Sequence, residues 1–548
     1  MFNRLKNRTN PTGHPVLVGD SIWASAQYRW NLIFLAFISL VVTIAVWLRW
    51  SGLDSQSLWM DEGYSLWISR FSPRAIWRLL EIDTSAPLYY ILLHYWSRCF
   101  GTSELSLRGL SALFETLSVP LFYALGRKIL ADKVSIAMAM LLNAVSFFHI
   151  WYARETRCYA LLVFLSLGSV YFLLLCLEKR SARRLCALVL FLAASLYTHN
   201  IALFYLPGVA IMWLIYPSEK TIRARVREGL LVFSATLFLY IPWLPTLHGQ
   251  LQRVRLGFWV ARPRLRDLLD SLCVLSGFDA HTFQNVVRAR FHVLRLFGFW
   301  TWAPLVLLVF GLCVIGGFRG VRPADRRKVA ALLVYSMTPV LLVFADSSIS
   351  SSIYITRLFL GSCALLPMVL FAPIAFQVGK SKKLFYVLGF VILVGGSVSA
   401  VGYLRRERKE DWRGVTEYIG KIPEKQRLTV IIPDICQPVV QYYAAGLSKS
   451  SPPMEMTGLL TRFDPPDAGL QRRIVELSDN QQTDVLALLS HETASGRYKE
   501  IDVALEPQAS LLVKPMLEYL AARCSSVEVV AFHWLEVRRC SIRLTKVD

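Results

Sequence analysis

The amino-acid sequence predicts a polytopic α-helical membrane protein of about eleven spans, ending in a small α/β domain. Three observations carry this. Hydrophobic residues fill 55% of the 548 positions and charged ones only 18%, with a mean hydropathy of +0.44; an ordinary soluble chain of this length is richer in charge. Apolar runs of the roughly 20 residues needed to cross a bilayer recur, Asn31–Leu48 and Leu384–Val401 among them. From residue 403 onward the character changes to short strand-like and helical runs.

The chain opens with a basic segment, residues 1–30, carrying Arg4, Lys6 and Arg8. No small-residue cleavage site follows the first apolar stretch, so it reads as an uncleaved span. Apolar segments then fall at 31–49, 106–126, 133–152, 158–177, 185–200, 201–216, 229–247, 297–317, 329–345, 358–376 and 384–402. Taken in alternation, the loops at Arg127-Lys128, Lys179 to Arg184, Lys220 to Arg227, Arg319 to Lys328 and Lys380 to Lys383 share one side. All are short and basic, the pattern of cytoplasmic loops. The net charge of +22 is thereby accounted for by orientation, not by nucleic-acid binding.

The opposite, extracytoplasmic face receives residues 50–105, residues 248–296, the stretch Asp346–Thr356 and the tail 403–548. The tail carries strand-like runs at Leu428–Ile432, Val485–Leu489, Ser510–Val513 and Val527–Phe532, with helical stretches at Trp412–Gly420 and Met516–Ala522. Alternation of this kind predicts an accessory α/β domain. Ten cysteines show no CxxC or Cys/His spacing, so neither a metal site nor a cofactor is expected. Cys524 and Cys540 pair if the tail lies in an oxidising compartment.

The first outer loop holds Trp59-Met60-Asp61-Glu62-Gly63-Tyr64. One reading is an interfacial aromatic belt with two solvated acids; the other is a carboxylate held at the membrane surface as a general base. Asp83 follows, then Pro87 and the amphipathic run Ile91–Phe100, which is too short to span and is expected to lie in the interface plane. Arg154 and Arg157 join two spans on this face against the positive-inside trend, and Arg357 opens an apolar span there. Each is either a local ion pair or snorkelling side chain, or a guanidinium that grips an anion. His199 interrupts two apolar runs at the same end, as a structural residue or a tunable proton carrier.

In order along residues 30–420, these motifs resemble the GT-C class of lipid-sugar-dependent glycosyltransferases, specifically bacterial relatives of aminoarabinose transferase and the protein O-mannosyltransferases. Trp59 to Tyr64 is similar to the family's first-loop Asp-Glu motif, and Asp83 to Tyr90 to its Asp-x-His-Pro-Pro-Leu-Tyr-Tyr segment. Arg154-Glu155-Thr156-Arg157-Cys158-Tyr159 resembles the Arg-Glu-x-Arg-x-Tyr turn, and Tyr197-Thr198-His199 the following Tyr-Thr-His. Phe258-Trp259 with Pro263 resembles a later outer loop, and Lys409 to Gly414 the Asp-Trp-Arg element opening the tail. Where the family has His-Pro this chain has Ser85-Ala86, so that histidine's role is not carried over.

The resemblance implies a transmembrane transferase domain over residues 31–402 that moves a sugar, with inversion, from a polyprenyl phosphate to a lipid, glycan or protein acceptor. The implied setting is the outer face of a bacterial inner membrane. Asp61 would be the base, with Glu62 supporting or replacing it and Asp83 across from it. Arg357, Arg154 and Arg157 would meet the phosphate, and Tyr64, Tyr159, His199 and Trp259 would line the substrate site. The alternative is a lipid or lipid-sugar flippase without transfer chemistry, which would require polar groups on a path across the bilayer. A membrane scaffold whose tail binds partners is a third reading.

Overall fold

A computed structural model describes residues 18–130, 132–256, 258–277, 323–376, 382–405, 409–421, 427–447, 455–458, 500–505, 517–518, 522 and 524–542. The apolar segment expected at 297–317, the later part of the outer loop 248–296, and the strands expected at Val485–Leu489 and Ser510–Val513 lie outside these residues. So does most of the helical stretch at Met516–Ala522.

Each of the other expected spans falls on helix. They are α1 (Val18–Trp50), α5 (Glu104–Ile129), α6 and α7 (Lys133–Val145, Phe147–Ala153), α8 (Tyr159–Glu178), α9 (Ala182–Thr198), α10 (Ala202–Ile215) and α11 (Ile222–Tyr240). After α12 (Leu244–Leu256) and α13 (Leu265–Leu275) come α14 (Pro323–Ile349), α15 (Leu366–Phe376) and α16 (Lys382–Leu404). A one-turn helix, Leu360–Cys363, precedes α15. Among the described residues, five helices are long and apolar enough to cross a membrane unaided, and the bent pair α6–α7 makes a sixth. The chain is therefore a multi-pass membrane protein. Starts are set by side chains: Ser103 accepts from Ser106 N–H at 3.2 Å, Asp132 from Ser135 N–H at 3.0 Å and Thr221 from Ala224 N–H at 3.3 Å, each satisfying an amide that no helical carbonyl can reach. α1 turns Ile33, Leu40 and Trp47 outward and Val41, Ala45 and Leu48 inward, the stripe a helix at a bundle's edge requires.

The α6–α7 pair bends by 50° at Ser146. A break strands the last carbonyls of α6, and Arg49 answers them, donating to Asn143 O and Ala144 O at 3.3 Å each. Arg49 also pairs with Glu115 at 3.4 Å, and Glu115 holds His149 Nδ1 at 3.0 Å. Side-chain exposures of Arg49, Glu115 and His149 are 0%, 1% and 6%. The cluster is closed on itself.

Between α1 and α5 lie three short helices, α2 (Met60–Ser69), α3 (Pro73–Leu80) and α4 (Leu88–Phe100). α3 starts with Ser72 as its cap and Pro73 in its first turn, and buries Ile76, Leu79 and Leu80. The run Ile91–Phe100 falls on α4, which is buried on one side: Tyr89, Tyr90 and Leu93 are buried while Tyr95 and Phe100 stay exposed.

Past α17 (Trp412–Gly420) the tail forms a five-stranded sheet. Its strands are β1 (Arg427–Ile432), β2 (Glu455–Gly458), β3 (Glu500–Leu505), β4 (Cys524–Phe532) and β5 (Leu535–Ile542), with α18 (Gln437–Leu447) between β1 and β2. The order is β2-β1-β3-β5-β4. β1 lies parallel to both neighbours, whereas β5 runs antiparallel to β3 and forms a hairpin with β4. Asp502 and Arg539 face each other in register and are joined at 2.8 and 3.1 Å. Cys524 and Cys540 are disulfide-bonded, their Cα atoms 5.4 Å apart. This domain packs directly on α2: a Cβ built on Gly63 would lie 2.5 Å from Val439 Cβ and 2.8 Å from its backbone.

Candidate active site

Trp59, in an extended conformation, turns the chain into α2 and places two acids in the helix's first turn, where the backbone dipole favours negative charge. The two then diverge, because consecutive helical residues point about 100° apart. Asp61 faces outward with 16% of its side chain exposed; Glu62 faces inward with none.

Glu62 is saturated. Arg108 of α5 grips it with Nε and Nη2 at 2.8 and 2.7 Å, Thr156 N–H donates at 2.9 Å, and Lys409 Nζ lies at 2.9 Å. Burial alone would raise this carboxyl's pKa, but the Arg108 and Lys409 charges and these donors outweigh it and hold it at about 2. Glu62 is therefore an ionised hub, sealed behind Asp61.

Asp61 Oδ2 lies 3.6 Å from Arg157 Nη2. Arg157 belongs to the turn between α7 and α8, which Thr156 ties to Glu62. Tyr159, the first residue of α8, offers its ring to two guanidinium groups, Arg157 at 6.0 Å and Arg357 at 5.7 Å. Arg357 does not open a regular span helix as expected; it stands in a 3₁₀ turn, Thr356–Phe359. Ser271 of α13 holds that turn through Thr356 at 2.8 Å. Arg154 comes close to Gly52, where a Cβ would meet its Nη2 at 3.0 Å; Gly52 also has φ +65°, which favours glycine. Among the described residues, the Nε atoms of Arg154, Arg157 and Arg357 are buried without a hydrogen-bond partner, the condition of donors arranged for an anion.

Asp83 accepts from Tyr64 OH at 2.9 Å, so the expected second acid and Tyr64 meet. Its loop is held from the far side: Asn200 donates to Thr84 O at 3.1 Å, Gln250 to Leu80 O and Ser85 O at 2.9 and 3.0 Å, and Arg253 to Asp83 O at 3.0 Å. His199 packs its ring against Tyr159 at 6.0 Å and accepts from Ile201 N–H at Nδ1, 3.1 Å away. Burial, then the charges of Arg157 and Arg357, push its pKa down to about 3. It stands as a neutral ring, not a proton carrier near neutral pH. Trp259 is 73% exposed beside Phe258; no contact draws it to the Asp61 group.

Sequence reading missed Arg108, Gln250 and Arg253. Arg108 carried a signal, being a charge inside an apolar helix that demanded an acid. Gln250 and Arg253 carried none, since their partners are backbone carbonyls more than 160 residues away.

The fold is similar to that of two solved proteins. ArnT from Cupriavidus metallidurans in its apo state aligns with 94% of this chain and 98% of its own, at TM-score 0.53 and 14% identity. An oligosaccharyltransferase from Archaeoglobus fulgidus aligns over 88% of this chain and 69% of its own, at TM-score 0.51 and 12% identity. In sequence, residues 84–245 match the model of the dolichyl-phosphate-mannose-protein mannosyltransferase family. That stretch takes in the arginine turn and His199 and stops short of Asp61 and Arg357. No curated protein matches the chain in sequence.

Proposed function

We propose that the chain transfers a hexose or pentose from a polyprenyl-phosphate donor to an acceptor at the extracytoplasmic face of a bacterial inner membrane. The observation that carries this reading is the Asp61–Arg157 pair at 3.6 Å, set beside Arg357 and Arg154 with their unpartnered Nε atoms. A half-buried carboxylate next to half-buried arginines whose Nε atoms are sealed from solvent suits a reaction that removes a proton at one atom and releases an anion at another. The family match over residues 84–245 supports a polyprenyl-phosphate sugar as donor.

In this mechanism the acceptor hydroxyl attacks the anomeric carbon from the face opposite the phosphate. The new C–O bond forms as the sugar–phosphate bond breaks, so configuration inverts. Asp61 takes the hydroxyl proton, and the bond's electron pair leaves on the prenyl phosphate. Arg357, Arg157 and Arg154 balance the charge that develops there. Glu62, sealed and ionised, does not exchange protons with the acceptor; it holds α2 and the arginine turn at a fixed separation. Asp83 with Tyr64 forms the wall across from the base. The exposed apolar face of α1 and the surface helix α4 suit a donor whose tail stays in lipid while its head reaches water.

The test is a transfer assay with purified protein in lipid nanodiscs, radiolabelled polyprenyl-phosphate hexoses and pentoses, and extracted envelope lipid and glycan as acceptors. Asp61→Asn is expected to lower turnover by about 10³-fold while still binding undecaprenyl phosphate. Retained turnover would remove Asp61 as the base.

A further inference from the structure

The root of the C-terminal domain reaches into this site. Lys409 is 7% exposed and makes two bonds: to Glu62 Oε2 at 2.9 Å and to Arg154 O at 3.0 Å. The first anchors it to the helix that presents Asp61, the second to the turn that presents Arg157. Next to it, Glu410 Oε2 accepts from Met60 N–H at 3.3 Å and from Trp412 Nε1 at 2.6 Å. It thereby caps the first turn of α2 one residue before Asp61. Arg413 follows, its N–H on Ser57 Oγ at 3.1 Å and its guanidinium on Asp54 O at 3.0 Å and on Glu104. Tyr443 of α18 accepts from Leu58 N–H at 2.6 Å. Residues 54–63 are thus gripped from the tail along their length.

From this we infer that Lys409, backed by Glu410, is a positioning residue of the transfer site, fixing the separation between the Asp61 helix and the arginine turn. The inference rests on the transferase reading above, and it replaces the expectation of a merely accessory tail. Charge balance makes the role one of geometry. The two-pronged Arg108 contact already neutralises Glu62, so α2 remains paired without Lys409. Glu155, buried beside Lys409 and accepting from Trp151 Nε1, has its carboxyl pushed up by burial. Beside the Thr156–Glu62 bond, Lys409 supplies a second tether, one donor on both α2 and the arginine turn. A misplacement of about 1 Å between base and leaving group is worth about 10²-fold in rate.

The experiment compares the full-length chain with Lys409→Met and Lys409→Arg. Turnover is measured with the donor found active for wild type, affinity with undecaprenyl phosphate, and amide exchange at residues 60–63 and 154–157. Expected for Lys409→Met is a kcat about 10²-fold lower, little change in KM or undecaprenyl-phosphate affinity, and faster exchange in both segments. Lys409→Arg restores most of the rate. If Lys409→Met does not fold, Glu410→Gln is read the same way, with faster exchange at residues 60–63 and a smaller loss of kcat. Wild-type kcat in an active Lys409→Met protein overturns the inference, as does a fall in thermal stability with kcat unchanged. If wild-type protein transfers no sugar, the functional reading fails by itself. The exchange measurement then decides the lock, and unchanged exchange in Lys409→Met overturns it.

Discussion

Two ionic clusters in this molecule, one at the start of α7 and one after its end, differ in one respect. At the bend of the broken span, Arg49, Glu115 and His149 spend their polar atoms on one another and on the carbonyls of α6. At the end of the bundle, Asp61 meets Arg157 at 3.6 Å, and Arg154, Arg157, Arg253 and Arg357 each keep an Nε without a partner among the described residues. A buried charge is costly unless paired, so a closed cluster is what stability alone requires. An open one needs another explanation, and the proposed function supplies one: a phosphate to be held. The contrast teaches that burial of charge does not by itself mark a site; several incompletely paired charges gathered at one place make a stronger candidate.

The comparison can be broken by substitution at either cluster. The largest effect is expected at the open one: Arg357→Ala should lower transfer by about 10²- to 10³-fold and weaken undecaprenyl-phosphate binding, with little loss of thermal stability. Arg357→Lys should recover only part, since a point charge does not reproduce a planar fork. The closed cluster should behave oppositely. Glu115→Gln leaves Arg49 buried without its counter-charge and should cost about 3–5 kcal/mol in denaturant unfolding, while the folded fraction keeps its undecaprenyl-phosphate affinity. Equal losses of binding and stability at both clusters would erase the distinction.

Glu62 sharpens it further, being closed in pairing yet placed at the open site. Its folded pKa of about 2 lies below the unfolded value, so its stabilisation is present above about pH 4.3 and fades as the pH falls towards 2. The full difference is about 3 kcal/mol at 1.36 kcal/mol per unit. Glu62→Gln should remove that acid-sensitive part of the stability curve. The smallest effect is expected at His199, already neutral at working pH: His199→Gln should add or remove no limb in the activity profile between pH 6 and 8.

The spans were legible because a bilayer demands long apolar runs and the basic loops repeat in alternation. Asp61, Asp83 and the two arginines of the turn stood out as charges in loops beside apolar runs, and Tyr64 with Asp83 proves to be a direct contact. What escaped was pairing across the chain. Glu62 read as a spare base because its partners, Arg108 and Lys409, lie 46 and 347 positions away. The bend at Ser146 escaped too, since no proline or glycine marks it and the donor that satisfies its freed carbonyls, Arg49, lies on another helix. Hydropathy reports what a residue avoids and is silent on which partner it finds.

The span of 347 positions between Glu62 and Lys409 also sets a clock. At about 5–20 residues per second, synthesis delivers the lysine roughly 17–70 s after the helix it is to hold. Throughout that interval the spans can insert and Arg108 can find Glu62, yet the arginine turn lacks its second tether. Completion of the site is thus deferred until α16 (Lys382–Leu404) has been made and the residues after it emerge.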